Sequence, residues 1–188
     1  MKRKNDYERN QRIIDIAVFF YSFLPKSILK KLLVFHRNTN GLLGYGIRYG
    51  ILKNLAQQCG DNVAVDVGVF LINPEKMSFG SNVSINPMSY LTGTGGLSIG
   101  DNVSIAHRVT IMTATHNYDN ISVPIKQQGI TYKPVVIEDN VWIGANVVIV
   151  AGCTVHSGAI IGANSVVTKE VHSNEVWGGV PAKYIKKR

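Results

Sequence analysis

Cysteine is scarce. The 188-residue chain has two, Cys59 and Cys153, and nothing in their placement suggests a disulfide framework, so a reducing, cytoplasmic setting is the expectation. Long hydrophobic runs are also missing. The most apolar stretch, Ile13 to Leu24, is twelve residues interrupted by Asp15 and Ser22. A bilayer span needs about 20. A secretory signal fits poorly too, because Asp6 and Glu8 precede that stretch and no small-x-small cleavage site follows it. Acidic residues are rare at the start of the chain. Residues 1–58 carry eleven Lys/Arg against three Asp/Glu, whereas residues 59–188 carry nine of each sign. The whole net charge of +8 therefore lies in the first segment. A neutral remainder argues against a nucleic-acid groove, and no nucleic-acid partner is expected.

What is present is a beat of six. From Ile137 every sixth residue is Ile143, Ile149, Val155, Ile161 and Val167, all β-forming aliphatics. Four residues after each stand Val141, Val147, Cys153, Ala159, Ser165 and Val171, all small or β-branched. A helix repeats near 3.6 and an ordinary strand at 2, so neither accounts for the pattern. A strict hexapeptide repeat predicts a parallel β-helix of stacked short strands. The same positions recur upstream at Cys59, Val65, Leu71, Phe79, Ile85, Leu91, Ile99, Ile105 and Ile111. Three hexapeptides make one triangular coil, which gives about five coils and a column about 20–25 Å tall. Two-residue slips fall at Asn73-Pro74 and at Thr94-Gly95-Gly96, where turn residues absorb them. Cys153 takes an inward slot and Cys59 an aliphatic position, so both read as small buried hydrophobes.

Three departures from the beat divide the chain. Residues 1–58 form a basic, partly helical segment: Pro25 ends the apolar run, Ser27 to Arg37 resumes with apolar and basic faces, Gly41 to Gly50 is glycine-punctuated, and Ile51 to Gln58 is a short helix or connector. This segment either packs on the β-helix or a neighbouring subunit, or lies on an anionic membrane surface. Residues 59–172 form the repeat region, and residues 173–188 a C-terminal cap or tail. Between Ile111 and Ile137 an insertion of 20 residues, about 117–136, interrupts the beat, with His116 at its root. Long loops on rigid scaffolds are usually functional.

These residues resemble the hexapeptide-repeat acyltransferases, most closely the galactoside and maltose O-acetyltransferases and the capsule or exopolysaccharide O-acetyltransferases. The resemblance covers about residues 59–188 and rests on IGDNVSIAHRVTIMTATHNYD, EDNVWIGANVVIVAG, and IGANSVVTKEV followed by GGVPAKYI. It implies an all-β fold, a left-handed parallel β-helix, in a homotrimer with acetyl-CoA between neighbouring prisms. It also implies His116 as catalytic base and Asn86 as an acceptor contact. Trp142, Ala145, Ala163, Thr168 and Lys169 would line the coenzyme channel, with Lys186 near its phosphates. Two positions depart from the family: Thr94 falls near a sugar-contacting acidic residue, and Ala145 replaces a serine.

Transfer of an acetyl group from a thioester to a hydroxyl needs a base, donors for the oxyanion and a leaving thiolate. An imidazole suits the first task, and backbone N–H groups at a coil corner suit the second. No covalent enzyme intermediate is required, so Cys153 is not a nucleophile. His36, His107, His156 and His172 read as surface residues. The zinc carbonic anhydrases that share this architecture use a close H-x4-H pair, which is missing here, so no metal is expected. Acetylation of an amine on an amino sugar or antibiotic, and a non-catalytic β-helix, remain as alternatives. The expected function is O-acetylation of a cell-surface saccharide or its precursor, in the cytoplasm and at the inner membrane face.

Overall fold

A computed structural model describes residues 2–188; the side chains of residues 2–6, Glu8 and Ile13 lie outside that description. Aliphatics every six residues build three parallel sheets around one core. The first face stacks Gln58–Cys59, Met77–Phe79, Leu97–Ile99, Val135–Ile137 and Thr154–Val155. The second stacks Ala64–Val65, Ser84–Ile85, Ser104–Ile105, Trp142–Ile143, Ile160–Ile161 and Glu175–Gly178, with Lys183–Lys187 antiparallel at its end. The third stacks Phe70–Ile72, Tyr90–Thr92, Thr110–Ile111, Val148–Ile149 and Val166–Val167. Registers follow the repeat, with Ile143 opposite Ile161 and Ile105. This is the left-handed parallel β-helix expected from the resemblance.

Five coils are complete. A sixth is begun by the Val155–Val171 bridge, strand Glu175–Gly178 and Ala182, whose amide donates to the Val166 carbonyl. Residues 173–188 thus close the open end of the column, with Trp177 covering the core at 7% exposure. From Phe79 through Val167 the repeat aliphatics are all buried, as are Val141, Val147, Cys153, Ala159, Ser165 and Val171. Cys59, by contrast, is half-buried at the column's other end.

The corners have their own chemistry. Asn62, Asn82, Asn102, Asn140, Asn146 and Asn164 take the left-handed conformation at which the chain turns. Asparagine tolerates this region far better than branched residues do. Their amides also stack, Asn62 on Asn82 at 3.0 Å and Asn146 on Asn164 at 3.1 Å. The two-residue slips fall where expected. Asn73 is left-handed ahead of a short 3-10 turn at Pro74–Lys76, and Gly96 has φ +98°.

The N-terminal segment forms three helices, α1 (Lys2–Ser22), α2 (Lys26–Phe35) and α3 (Gly41–Leu55). The glycine-punctuated stretch Gly41 to Gly50 is helical, and α3 runs on from it through Leu55, into the segment expected as a short helix or connector. Two of its glycines serve close packing. A Cβ on Gly44 would meet the Thr39 carbonyl oxygen at 1.9 Å, and one on Gly50 would meet the Tyr21 ring at 3.0 Å. α1 crosses α3 through Val18 and Tyr21, with Asn54 donating to the Val18 carbonyl at 2.9 Å. α2 adds Leu29 and Leu33 to Ile51 and Leu55 of α3. The cap is bolted to the first coil by Arg48, 1% exposed, which donates to the Val65 carbonyl at 2.8 Å.

Candidate functional site

The insertion after the third coil is a hairpin. Ala114–His116 pairs antiparallel with Ile130–Tyr132, His116 opposite Ile130. Its root is fixed by buried Thr113. The Thr113 hydroxyl donates to the Thr92 carbonyl at 3.0 Å and accepts the Gly95 amide at 2.9 Å, and the Thr113 carbonyl accepts the Lys133 amide at 3.1 Å. Gly95 is obligatory there, since a Cβ would meet the Thr113 carbonyl oxygen at 2.1 Å. Beyond the root, Thr131 donates to Asn117 Oδ1 at 2.6 Å, and Gln128 donates to the Asn120 and Val123 carbonyls. His116 is thus an exposed imidazole on a firmly held strand end. No described side chain hydrogen-bonds its ring.

The remaining candidate residues lie on two different edges of the prism. The edge between the second and third faces is a column of corner residues: Val67, Pro87, His107, Ala145, Ala163 and Gly179. From Met88 to Asn164 the amide that follows each corner donates to the corner carbonyl of the preceding coil, as Asn164 does to Ala145. Asn86 stands beside this column, half-buried, with its side-chain amide donating to the Ile105 carbonyl at 2.8 Å. Trp142 projects from the adjoining second face, 54% exposed between inward Val141 and Ile143, at 1% and 0%.

The edge between the third and first faces carries Met112, Val150 and Thr168 in line, joined by amides of one coil to carbonyls of the next. His116 grows from this edge, and Thr168 and Lys169 sit on it two coils further along. Lys169 Nζ lies 5.9 Å from the Trp177 ring centroid, over the terminal coil. Lys186 is exposed on strand Lys183–Lys187, opposite Val176. One copy of the chain therefore divides the candidate residues into two groups: Asn86, Trp142, Ala145, Ala163 and Lys186 on the second face or its edge with the third, and His116, Thr168 and Lys169 on the edge between the third and first. The Thr94 hydroxyl accepts the Asn73 side-chain amide at 2.9 Å.

One histidine is not the solvated surface residue that its repeat position suggests. His156 is held between Glu138 at 2.9 Å and Glu170 at 2.5 Å. These carboxylates, Glu170 foremost, raise its pKa above the ordinary value. His172 stacks alongside, ring centroids 6.3 Å apart. The sequence signal was its place on a corner one coil after Glu138, visible once the 18-residue coil length is known.

Stacked hexapeptide coils, a single long hairpin with a histidine at its root and a ladder of small corner residues define a hexapeptide-repeat transferase architecture. The family described as Bacterial transferase hexapeptide (six repeats) matches residues 134–169. The galactoside O-acetyltransferase of Escherichia coli is 31% identical over 140 residues, 74% of this chain and 68% of that one. A putative acetyltransferase of Schizosaccharomyces pombe is 42% identical over 80 residues, 42% of this chain, and there the chain spans only 37% of its relative. The structure of a galactoside acetyltransferase in complex with coenzyme A superposes with a TM-score of 0.77 at 30% identity, covering 86% of this chain and 80% of that one. The chain belongs to the hexapeptide-repeat acetyltransferase family.

Proposed function

We propose that the chain is an acetyl-CoA-dependent O-acetyltransferase that acts on a hydroxyl of a saccharide, a cell-surface polysaccharide or its precursor, as a cytoplasmic homotrimer. The carrying observation is the placement of His116, an unencumbered imidazole at the root of a braced hairpin. The relative crystallised with coenzyme A supports the donor. The two-edge arrangement supports the trimer. When the His116 edge of one copy faces the Trp142–Ala145–Ala163 edge of the next, the two half-sites meet in a cleft.

In this reading His116 takes the proton of the acceptor hydroxyl as its oxygen attacks the thioester carbonyl. The tetrahedral oxyanion is held by a backbone N–H at a corner. Its collapse breaks the C–S bond, and the coenzyme leaves as a thiolate that recovers the proton. Asn86 sits on the acceptor side. Ala145 and Ala163 present backbone and little bulk, so the pantetheine arm can lie close along that edge. Trp142 forms a wall, Thr168 and Lys169 line the channel, and Lys186 lies at the phosphate end.

The test is thiol release from acetyl-CoA over a panel of mono- and oligosaccharides, wild type against His116→Ala. Acceptor-dependent release that falls by about two or more orders of magnitude is the expected result. Near-wild-type turnover in the variant overturns the base assignment. If the wild type turns over amino sugars alone, the acceptor is an amine.

A further inference from the structure

The three helices bury one side against each other and the first coil, and leave the other side apolar. On α1, Ile14, Val18 and Tyr21 pack inward. Ile16, Phe19, Phe20 and Phe23 form a second stripe at i, i+3, i+4 and i+7, each 58–69% exposed. On α2, Leu29 and Leu33 are buried, while Ile28, Val34 and Phe35 face outward at 42%, 57% and 79%. Leu42 and Leu43 at the start of α3 are 55% and 70% exposed. They rim an apolar cleft of about 280 Å³ that Ile14, Ala17 and Ile47 also line. Nine large exposed hydrophobic residues between positions 16 and 43 form more than a scatter of single surface apolars.

Cations are interspersed with them. Arg12, Lys26 and Lys31 are exposed on these same helices, and Asp15 is the one acid among the described side chains there. None of the described helices is long and apolar enough to cross a membrane. Helices with a basic border and a Phe-rich outer stripe have the chemistry that inserts shallowly at the headgroup boundary of a bilayer.

We propose that the outer face of this helical cap docks on an anionic lipid bilayer. Charge complementarity selects that occupant over a second copy of the chain. Pairing two caps brings like charge against like, and residues 59–188 have no acidic excess to receive one. An anionic leaflet supplies both an apolar interior for the phenylalanines and a negative surface for the lysines. The docking rests on the cap alone and is independent of the acetyl-transfer reading.

The experiment is co-sedimentation of the full chain with phosphatidylcholine vesicles and with vesicles containing about 30% phosphatidylglycerol, across a series of NaCl concentrations. The expected result is binding to the anionic vesicles that weakens with salt, and little binding to the neutral ones. Lys26→Glu with Lys31→Glu should weaken binding by about tenfold or more, given that each cation near the surface contributes roughly fivefold. Phe19→Ser with Phe20→Ser should weaken it at least tenfold and leave the melting temperature within a few degrees, since both rings are exposed. Equal binding to both vesicle types overturns the proposal, as does wild-type binding by the phenylalanine variant. So does a wild type that binds no vesicles while the phenylalanine variant sediments as a smaller oligomer. That outcome makes the face a contact between copies.

Discussion

His156 Nε2 lies 2.5 Å from Glu170 Oε1 while its Nδ1 meets Glu138 at 2.9 Å, so one imidazole joins the fourth coil to the segment that follows Lys169. Glu170 above all raises the His156 pKa; the Ser157 backbone amide above all lowers that of Glu138, and His156 lowers that of Glu170. A raised histidine contributes its full stability below its unfolded value, about 6.5, and loses it as pH rises through the folded value. The lowered carboxylates contribute above about 4.5 and lose their share as pH falls through their folded values. The pairing therefore stabilises most between about pH 4.5 and 6.5. His156→Gln should lower the melting temperature by about 2 °C near pH 6 and by less near pH 8.5. Because the carboxylates are partly exposed, the difference should shrink in high salt. Thermal melts of both proteins across pH check this; a pH-independent gap means the imidazole is neutral.

Gly95 and Thr113 hold the hairpin root, and Gly95→Ala separates stability from activity there. The new methyl has no room beside the Thr113 carbonyl, so the root must shift and carry His116 with it. Misplacing a catalytic group by about 1 Å costs on the order of a hundredfold in rate. The expected variant stays folded, with the coil ladder intact by circular dichroism, and loses kcat by at least about tenfold. A variant with wild-type kcat shows that the hairpin root does not position the base.

Adjacent residues on one strand should respond in opposite ways. Ile143 is fully buried, and truncating it to Ala removes core contacts that the stacked coils above and below cannot replace, at a cost of about 2–5 kcal/mol. Trp142 is more than half exposed, so Trp142→Ala should leave the fold of the protomer within about 0.5 kcal/mol. Its effect is expected in a raised KM for acetyl-CoA. Urea denaturation and steady-state kinetics on the two variants decide it.

The period of six made the column legible, because in a solenoid each strand's neighbours are set by spacing alone. Ile143 meets Ile161 because 18 residues close one coil. The two slips were readable for the same reason, as surplus residues beside turn formers. The helices were not so readable. Gly44, Gly46 and Gly50 look like helix breakers locally, and only the approach of Thr39 and Tyr21 explains Gly44 and Gly50 inside α3. Tertiary packing overrides propensity there. The recurrent corner asparagines were in plain view as GDN, GSN and GAN, and their left-handed backbone is their physical reason. His116 stood out by its position at the loop. His156 did not: Glu138 lies one 18-residue coil before it, but Glu170 lies 14 residues after it, on a segment outside the period.

Arg48 is where the cap and the column are joined, and its replacement should uncouple them. Its Nε donates to the Val65 carbonyl on the first coil, while Nη1 donates to the His36 and Thr39 carbonyls at 2.9 and 2.7 Å, beyond the end of α2. Only a planar fork of donors reaches carbonyls on both sides; a lysine ammonium at one point cannot. Arg48→Met keeps the volume but removes the donor to these carbonyls; the His36 carbonyl still accepts the Thr39 amide, while a buried carbonyl left without a partner costs about 1–3 kcal/mol. The loss is local, since no repeat aliphatic moves. Hydrogen exchange should therefore accelerate across residues 26–66 while amides between residues 97 and 167 keep their protection. Arg48→Lys is expected to behave like Arg48→Met rather than like wild type. Uniform loss of protection along the whole chain instead means that cap and column unfold as one unit, and that Arg48 stabilises the entire molecule rather than the joint.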